Sequence, residues 1–304
     1  MPELPEVEVV RRGIEPYTAG WRVERVEVFD PRSLKRHPGS VADFIGALEG
    51  RDLLAAVRRG KFLWLPLADH GPRQSEALVC HLGMSGQILL GDHPEQFGPL
   101  LRVALELSGP DGQSITWGFV DQRLFGSLAI DTMMETIPGV PAGRGSDDSR
   151  IPSQVAHIAR DVLDPAADLS AIARSMRKKS SGIKRVLLDQ TVTSGVGNIY
   201  ADEALFSTRL HYDYPANRLS QSRALDLLSA VGGVFDRALE QGGTSFDWQY
   251  VNVNGQSGYF SQSLNAYGQD GQACSRCGRI IVREAFMNRS SFRCPRCQPR
   301  PRVR

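Results

Sequence analysis

A proline directly behind the initiator methionine and two pairs of cysteines near the far end are the most reactive features of this sequence. The chain begins Met1-Pro2-Glu3-Leu4-Pro5-Glu6-Val7-Glu8. A small second residue favours removal of Met1, after which Pro2 presents a secondary amine with no side chain to position. An α-amino group titrates near roughly pH 8, so a useful fraction is unprotonated at neutral pH. Attack by a secondary amine on an aldehyde-like carbon gives an iminium with no N–H proton to lose. That cation stays charged and serves as an electron sink for elimination. Glu3, adjacent, can carry the proton such chemistry needs. The same residues also read as an ordinary helix start, where proline and acids are common.

The cysteines fall as Cys274-x2-Cys277 and Cys294-x2-Cys297. Two such knuckles at this separation suit one tetrahedral Zn2+. Four thiolates leave no open position, so the expected metal is structural; two disulfides are the alternative. Cys80 stands alone in an apolar stretch and reads as a buried, inert thiol. The region from Cys274 to Arg304 holds nine arginines and one acid, a net +8, which leaves −6 on residues 1–273 although the whole chain is only +2. A basic end on an acidic body implies a polyanionic partner, with a solvated tail as the bland reading.

The elements that must position these groups follow from patterning. With 304 residues, 41% hydrophobic and 23% charged, the chain fits neither general disorder nor a membrane protein. No apolar run is long enough to span a bilayer. The acidic, proline-punctuated start is unlike a signal peptide, so a cytoplasmic protein is expected. Residues 3–14 predict a helix with Leu4, Val7, Val10 and Ile14 on one stripe, placing Glu3 and Glu6 on a neighbouring face. Residues 21–130 read as an antiparallel sandwich, with strands near Val23–Phe29, Lys61–Leu67, Ala77–Leu82 and Leu101–Leu107. The expected organisation is a catalytic helix and β-sandwich over 1–135, a linker over 136–153, a helical domain over 154–264, a zinc finger over 265–298 and a basic tail over 299–304. Within the helical domain, Val155–Val162, Asp168–Met176 and Ile183–Asp189 are candidate helices, and Ser220 caps a longer one.

Six blocks occur in order: Pro2–Glu8, Arg59-Gly60-Lys61, His81-Leu82-Gly83-Met84-Ser85-Gly86, Asp121-Gln122-Arg123-Leu124-Phe125-Gly126, Gly195-Val196-Gly197-Asn198-Ile199-Tyr200-Ala201, and the cysteine pairs with Asn288-Arg289. Together they resemble the formamidopyrimidine-DNA glycosylase family, bifunctional base-excision enzymes for oxidised purines, over essentially the whole chain. The resemblance implies an α+β architecture: an N-terminal β-sandwich, a C-terminal helix–two-turns–helix domain and a zinc β-hairpin finger. It also implies damaged double-stranded DNA as partner, one structural Zn2+ and action as a monomer.

Residue by residue, the resemblance makes Pro2 the Schiff-base nucleophile and Glu3 its acid or base. Lys61 matches the lysine associated with β-elimination, Arg289 the arginine linked to δ-elimination, and Glu6 a further acid near the site. A base must leave the stack before it can be excised; Met84, Arg123 and Phe125 match the three positions that fill the void. Lys179, Lys184 and Asn198 match phosphate contacts. Two departures stand out: Leu100 where a histidine is often found, and Leu124 where some relatives carry a polar or basic residue. The segment Thr244–Ser263, with Tyr250 and Tyr259, matches a lesion-contacting loop in outline, and Tyr267 reads as packing near the hairpin. Two competing readings remain: an endonuclease VIII-like enzyme for oxidised pyrimidines, and a zinc-ribbon damage binder without catalysis.

Overall fold

The structure, a computed structural model, describes residues 2–69, 75–244, 253–255 and 258–301. The chain divides into two units, Met1–His157 with Thr244–Gly258, and Ile158–Gly243 with Tyr259–Arg304.

The first unit opens with α1 (Leu4–Ile14), whose Leu4, Val7, Val10 and Ile14 form the buried stripe that the periodicity predicts. There follow β1 (Trp21–Val28), α2 (Val41–Leu48), β2 (Asp52–Leu53), β3 (Val57–Arg59), β4 (Phe62–Pro66), β5 (Glu76–His81), β6 (Gly86–Gly91), β7 (Leu101–Ser108), β8 (Ser114–Asp121), β9 (Ser127–Glu135) and β10 (Arg150–Pro152). The strands form two five-stranded antiparallel sheets, ordered β2-β1-β7-β8-β6 and β10-β9-β5-β4-β3. Val23, Val26, Val103, Leu105 and Phe119 from the first sheet share a core with Leu63, Leu65, Leu78, Leu128 and Ile130 from the second. Each such side chain contributes about 1.5–3 kcal/mol on burial. Cys80 lies wholly inside this core, buried as the sequence suggests, and burial pushes its thiol pKa far up.

Residues 136–153 are not a free linker. Strand β10 pairs with β9, Ala142 and Ile151 are fully buried, and Arg144 exchanges backbone hydrogen bonds with Arg58. Proline, glycine and polar residues here make a covering edge to the second sheet, and the unit boundary falls after His157. Residues 244–258 likewise group with the first unit rather than the helical one.

The second unit contains α3 (Leu169–Arg177), α4 (Ile183–Leu187), α5 (Asn198–Thr208), α6 (Gln221–Glu240), β11 (Val282–Phe286) and β12 (Arg289–Arg293). Ser220 caps α6 as expected, its hydroxyl accepting from the Arg223 amide at 3.2 Å. The helix expected over Val155–Val162 does not form beyond a short 3-10 turn at Ser153–Val155. Asp161 and Asp164 instead accept from the amides of Leu163 and Ala166, local turns that compete with a helix. Strands β11 and β12 make the hairpin, closed by Met287-Asn288 between the paired Phe286 and Arg289. Among the described residues no helix is long and apolar enough to cross a membrane.

Candidate active site

In the first unit Pro2 is buried immediately before α1, and Glu3 is the N-cap residue. Glu3 and Glu6 close a capping box, with the Glu3 amide donating to Glu6 Oε2 at 2.8 Å. Glu6 Oε1 also accepts from the Thr244 amide and hydroxyl, both at 2.8 Å. Glu6 therefore ties the end of the chain that carries Pro2 to the start of the 244–263 segment. Glu3 is 1% exposed and sits beside Pro2 in sequence and space. Tyr250 lies outside the described residues; Tyr259 is exposed, in the second unit.

Two residues beyond Glu6 on α1, Glu8 is fully enclosed among arginines. Arg58 Nε lies 2.8 Å from it, Arg11 and Arg12 each 3.1 Å, and Arg144 3.5 Å. Burial alone pushes the Glu8 carboxyl pKa up, but the charges and hydrogen bonds of Arg58 and Arg11 reverse this and hold it below its ordinary value. Arg58 also donates to the Gly60 carbonyl at 3.1 Å. Gly60 and Lys61 are the two-residue turn joining the paired Arg59 and Phe62, with Gly60 at φ +57°, a left-handed conformation glycine adopts without strain. Lys61 is thus the second turn residue rather than the first of the strand, and a single guanidinium links its turn to the Pro2 helix.

His81, paired with Phe62 across β4 and β5, accepts from the Gly83 amide at 3.1 Å through Nδ1. Burial, then the charges of Arg36, Lys61 and Lys35, lower its pKa to about 4, so it is neutral at physiological pH. Lys35, Arg36 and Lys61 consequently gather around one neutral imidazole, a setting suited to a phosphate. Sequence reasoning missed Lys35 and Arg36; the signal was the basic run Lys35-Arg36-His37 before Pro38-Gly39.

Met84, between β5 and β6, and Phe125, between β8 and β9, are 45% and 48% exposed, and Arg123 is exposed beside Phe125. Two large apolar side chains held in the open are not core residues, although either would pass for one in a periodicity reading. Leu100, at the first departure, packs against the small cluster of Leu101, Ala104 and Val120.

In the second unit Lys179 is exposed, 3.5 Å from Asp189. Lys184 corrects the sequence reading. It is 0% exposed, 2.7 Å from the equally buried Asp202 and 4.8 Å over the Phe286 ring, which leaves it no surface to offer a phosphate. Asp202 in turn accepts from the Ser291 hydroxyl at 2.7 Å and the Phe292 amide at 3.0 Å. Asn198, the first residue of α5, donates to the Ser290 carbonyl at 3.0 Å. Both helical residues therefore grip β12, the strand whose first residue is the exposed Arg289. Tyr267 packs edge-on to Phe292 at 4.9 Å, the structural role expected of it.

The sulfurs of Cys274, Cys277, Cys294 and Cys297 all lie within 4.8 Å of one another, with Cys277 and Cys294 3.5 Å apart. Tetrahedral Zn–S bonds of about 2.3 Å put sulfurs about 3.8 Å apart, so the four thiolates fit one structural Zn2+ bound by cysteine alone.

Three family models match in chain order: the formamidopyrimidine-DNA glycosylase N-terminal domain over residues 1–128, the formamidopyrimidine-DNA glycosylase H2TH domain over 158–249, and the zinc finger found in FPG and IleRS over 271–300. A sandwich, an H2TH domain and a zinc finger in one chain are the parts of a DNA-repair glycosylase. Formamidopyrimidine-DNA glycosylase of Leifsonia xyli is 56% identical over 98% of this chain and 99% of its own, and that of Thermobifida fusca is 51% identical over 99% of each. The chain belongs to the formamidopyrimidine-DNA glycosylase family. It is also similar to solved structures: MutM (FPG) from Thermus thermophilus, 32% identical, with TM-score 0.77 over 99% of this chain and all of that one, and MutM in complex with DNA containing carbocyclic 8-oxo-G, 26% identical, with TM-score 0.79 over 98% of this chain and all of that one.

Proposed function

We propose that this chain excises oxidised purines, 8-oxoguanine and ring-opened formamidopyrimidines, from duplex DNA and then cuts the strand at the vacated sugar. The observation that carries this reading is the N-terminus, with Pro2 held buried at the head of a helix anchored by Glu6 and Glu8, and Glu3 beside it. The Pro2 nitrogen attacks C1′ and the glycosidic bond breaks, its electron pair leaving with the base. Glu3 delivers the proton that opens the sugar. The resulting iminium acidifies C2′; loss of that proton expels the 3′ phosphate, with Lys61 serving this β-elimination. A second elimination, served by Arg289, expels the 5′ phosphate and leaves a one-nucleotide gap.

Met84, Arg123 and Phe125 occupy the place of the extruded nucleotide. Lys179 and the amides at the start of α5 hold phosphates. The protein works as a monomer on nucleoid DNA in a bacterial cytoplasm. Relatives solved with 8-oxo-G DNA and with abasic-site DNA support the substrate class. The pyrimidine-specific and non-catalytic readings lack such support.

The test is borohydride trapping on a duplex with one 8-oxoguanine opposite cytosine, followed by peptide mapping. A covalent adduct on Pro2 is expected. Absence of an adduct from protein with Met1 removed and zinc bound would overturn the lyase reading. Preferential cutting of a thymine glycol duplex would reassign the substrate.

A further inference from the structure

Asp121, the last residue of β8, is completely buried, yet its carboxylate serves two exposed loops at once. Oδ1 accepts from the amides of Arg123 at 3.1 Å and Leu124 at 3.0 Å, and Oδ2 accepts from the Gly126 amide at 2.7 Å. These bonds define the turn that carries Arg123 and Phe125. Oδ1 also accepts from the Ser85 hydroxyl at 2.5 Å, and Ser85 follows Met84 in the other loop. The Arg123 amide comes within 3.3 Å of the same hydroxyl.

The loops touch through backbone as well. Gly83 sits at φ +61°, and a Cβ there would fall 2.4 Å from the Phe125 carbonyl carbon and oxygen. Leu124 holds a left-handed φ of 56°, costly for a side chain of this size. Its amide bound to Asp121 and its carbonyl accepting from Lys35 Nζ at 2.6 Å hold it there.

We infer that Asp121 is a positioning residue for extrusion, and that the Ser85–Asp121 hydrogen bond couples Met84 to Arg123 and Phe125 so that the two loops enter DNA as one rigid wedge. The inference rests on the void-filling reading of those three side chains. A wedge whose parts are fixed beforehand enters the base stack without ordering each loop separately, which lowers the entropic cost of insertion.

Ser85→Ala removes the link between the loops and leaves Asp121 its three backbone donors, so the fold should stand. The measurement is stopped-flow fluorescence of 2-aminopurine placed beside 8-oxoguanine, run alongside β-elimination at a preformed abasic site, where no base has to be unstacked. Extrusion in Ser85→Ala should slow about tenfold, with β-elimination and Tm unchanged. In a Met84→Ala background Ser85→Ala should add nothing, because the link acts through Met84.

Phe125→Ala separates the possible failures. If Phe125→Ala slows extrusion and Ser85→Ala does not, the coupling is refuted while the wedge reading stands. If neither slows it, the wedge reading fails and the coupling fails with it. Equal slowing of extrusion and of β-elimination by Ser85→Ala would make the bond a general structural one and overturn the inference.

Discussion

Glu8 and Arg58 meet at 2.8 Å with neither side chain exposed, and Arg58 reaches on to the carbonyl of Gly60 at 3.1 Å. The helix behind Pro2 and the turn bearing Lys61 are therefore held through one guanidinium. Glu8→Gln strips that guanidinium and three neighbouring ones of their shared counter-charge. The expected loss is about 3–5 kcal/mol in urea unfolding, typical of breaking a buried pair from one side.

The same carboxylate predicts acid sensitivity. A folded pKa below the ordinary 4.5 means that the stabilisation is complete above pH 4.5 and drains away as pH falls below it, because the unfolded chain takes up the proton first. Unfolding curves across pH 3–6 should show this decline, and Glu8→Gln should flatten it.

Histidines act in a neighbouring window. His81 and His211 both have pKa values lowered to about 4, in each case mainly by burial, from an ordinary 6.5. Between those values the unfolded chain binds more protons, so stability should climb from pH 4 to 6.5 and level off above. His81→Gln should remove part of the climb. An imidazole NMR titration of His81 centred near 6.5 would contradict its burial beside three cations.

Much of this architecture was legible because it follows a period or a spacing. The stripe of α1, the alternation of β7 and the two cysteine knuckles all repeat at intervals set by backbone geometry. What escaped has physical causes. The start of helix α5 was marked by its glycines, but its extent was not, because it is buried on almost every side, including Asp202 and Glu203, and shows no polar face to contrast with an apolar one. Helix α2 buries only Phe44 and Leu48, too few to set a period. Residues 136–153 have a loop's composition but cover a sheet edge. Lys184 resembled a surface phosphate ligand because its partner Asp202 lies eighteen residues away and is joined to it only by the fold.

That pair separates two kinds of lysine. Lys184→Met takes from Asp202, whose carboxyl pKa burial already raises, the cation that favours its charged form, and should cost about 3–5 kcal/mol in the stability of the second unit. The dependence of DNA affinity on salt should hardly change. Lys179→Met should do the reverse, leaving stability intact and reducing the slope of log K against log salt by about 0.9. Fluorescence anisotropy between 50 and 200 mM salt (roughly the range over which phosphate contacts show) would assign each residue.

Zinc removal tests the hairpin. Its small core joins Phe292, Ile281, Cys274 and Cys294 to Phe206 and Ala266, so β12 is supported from outside the metal site as well as by it. Chelation should abolish DNA binding while the β-sandwich signal in circular dichroism persists, because the metal stabilises only the ribbon around it. A single transition in which both are lost together would show that zinc stabilises the whole chain.

Pro2 and Glu3 can be separated by paired variants. Pro2→Gly replaces the secondary amine with a primary one, whose Schiff base can lose its N–H proton and relinquish the charge that drives elimination. Strand cleavage should vanish while binding to an 8-oxoguanine duplex persists. Glu3→Gln retains an oxygen that can accept from the Glu6 amide, so the capping box and fold should hold. The proton carrier is lost, and single-turnover excision should slow by about 10²–10⁴-fold. Binding that falls in parallel with excision in either variant would show that the substitution disturbs α1 itself, and the catalytic assignment of that residue would have to be withdrawn.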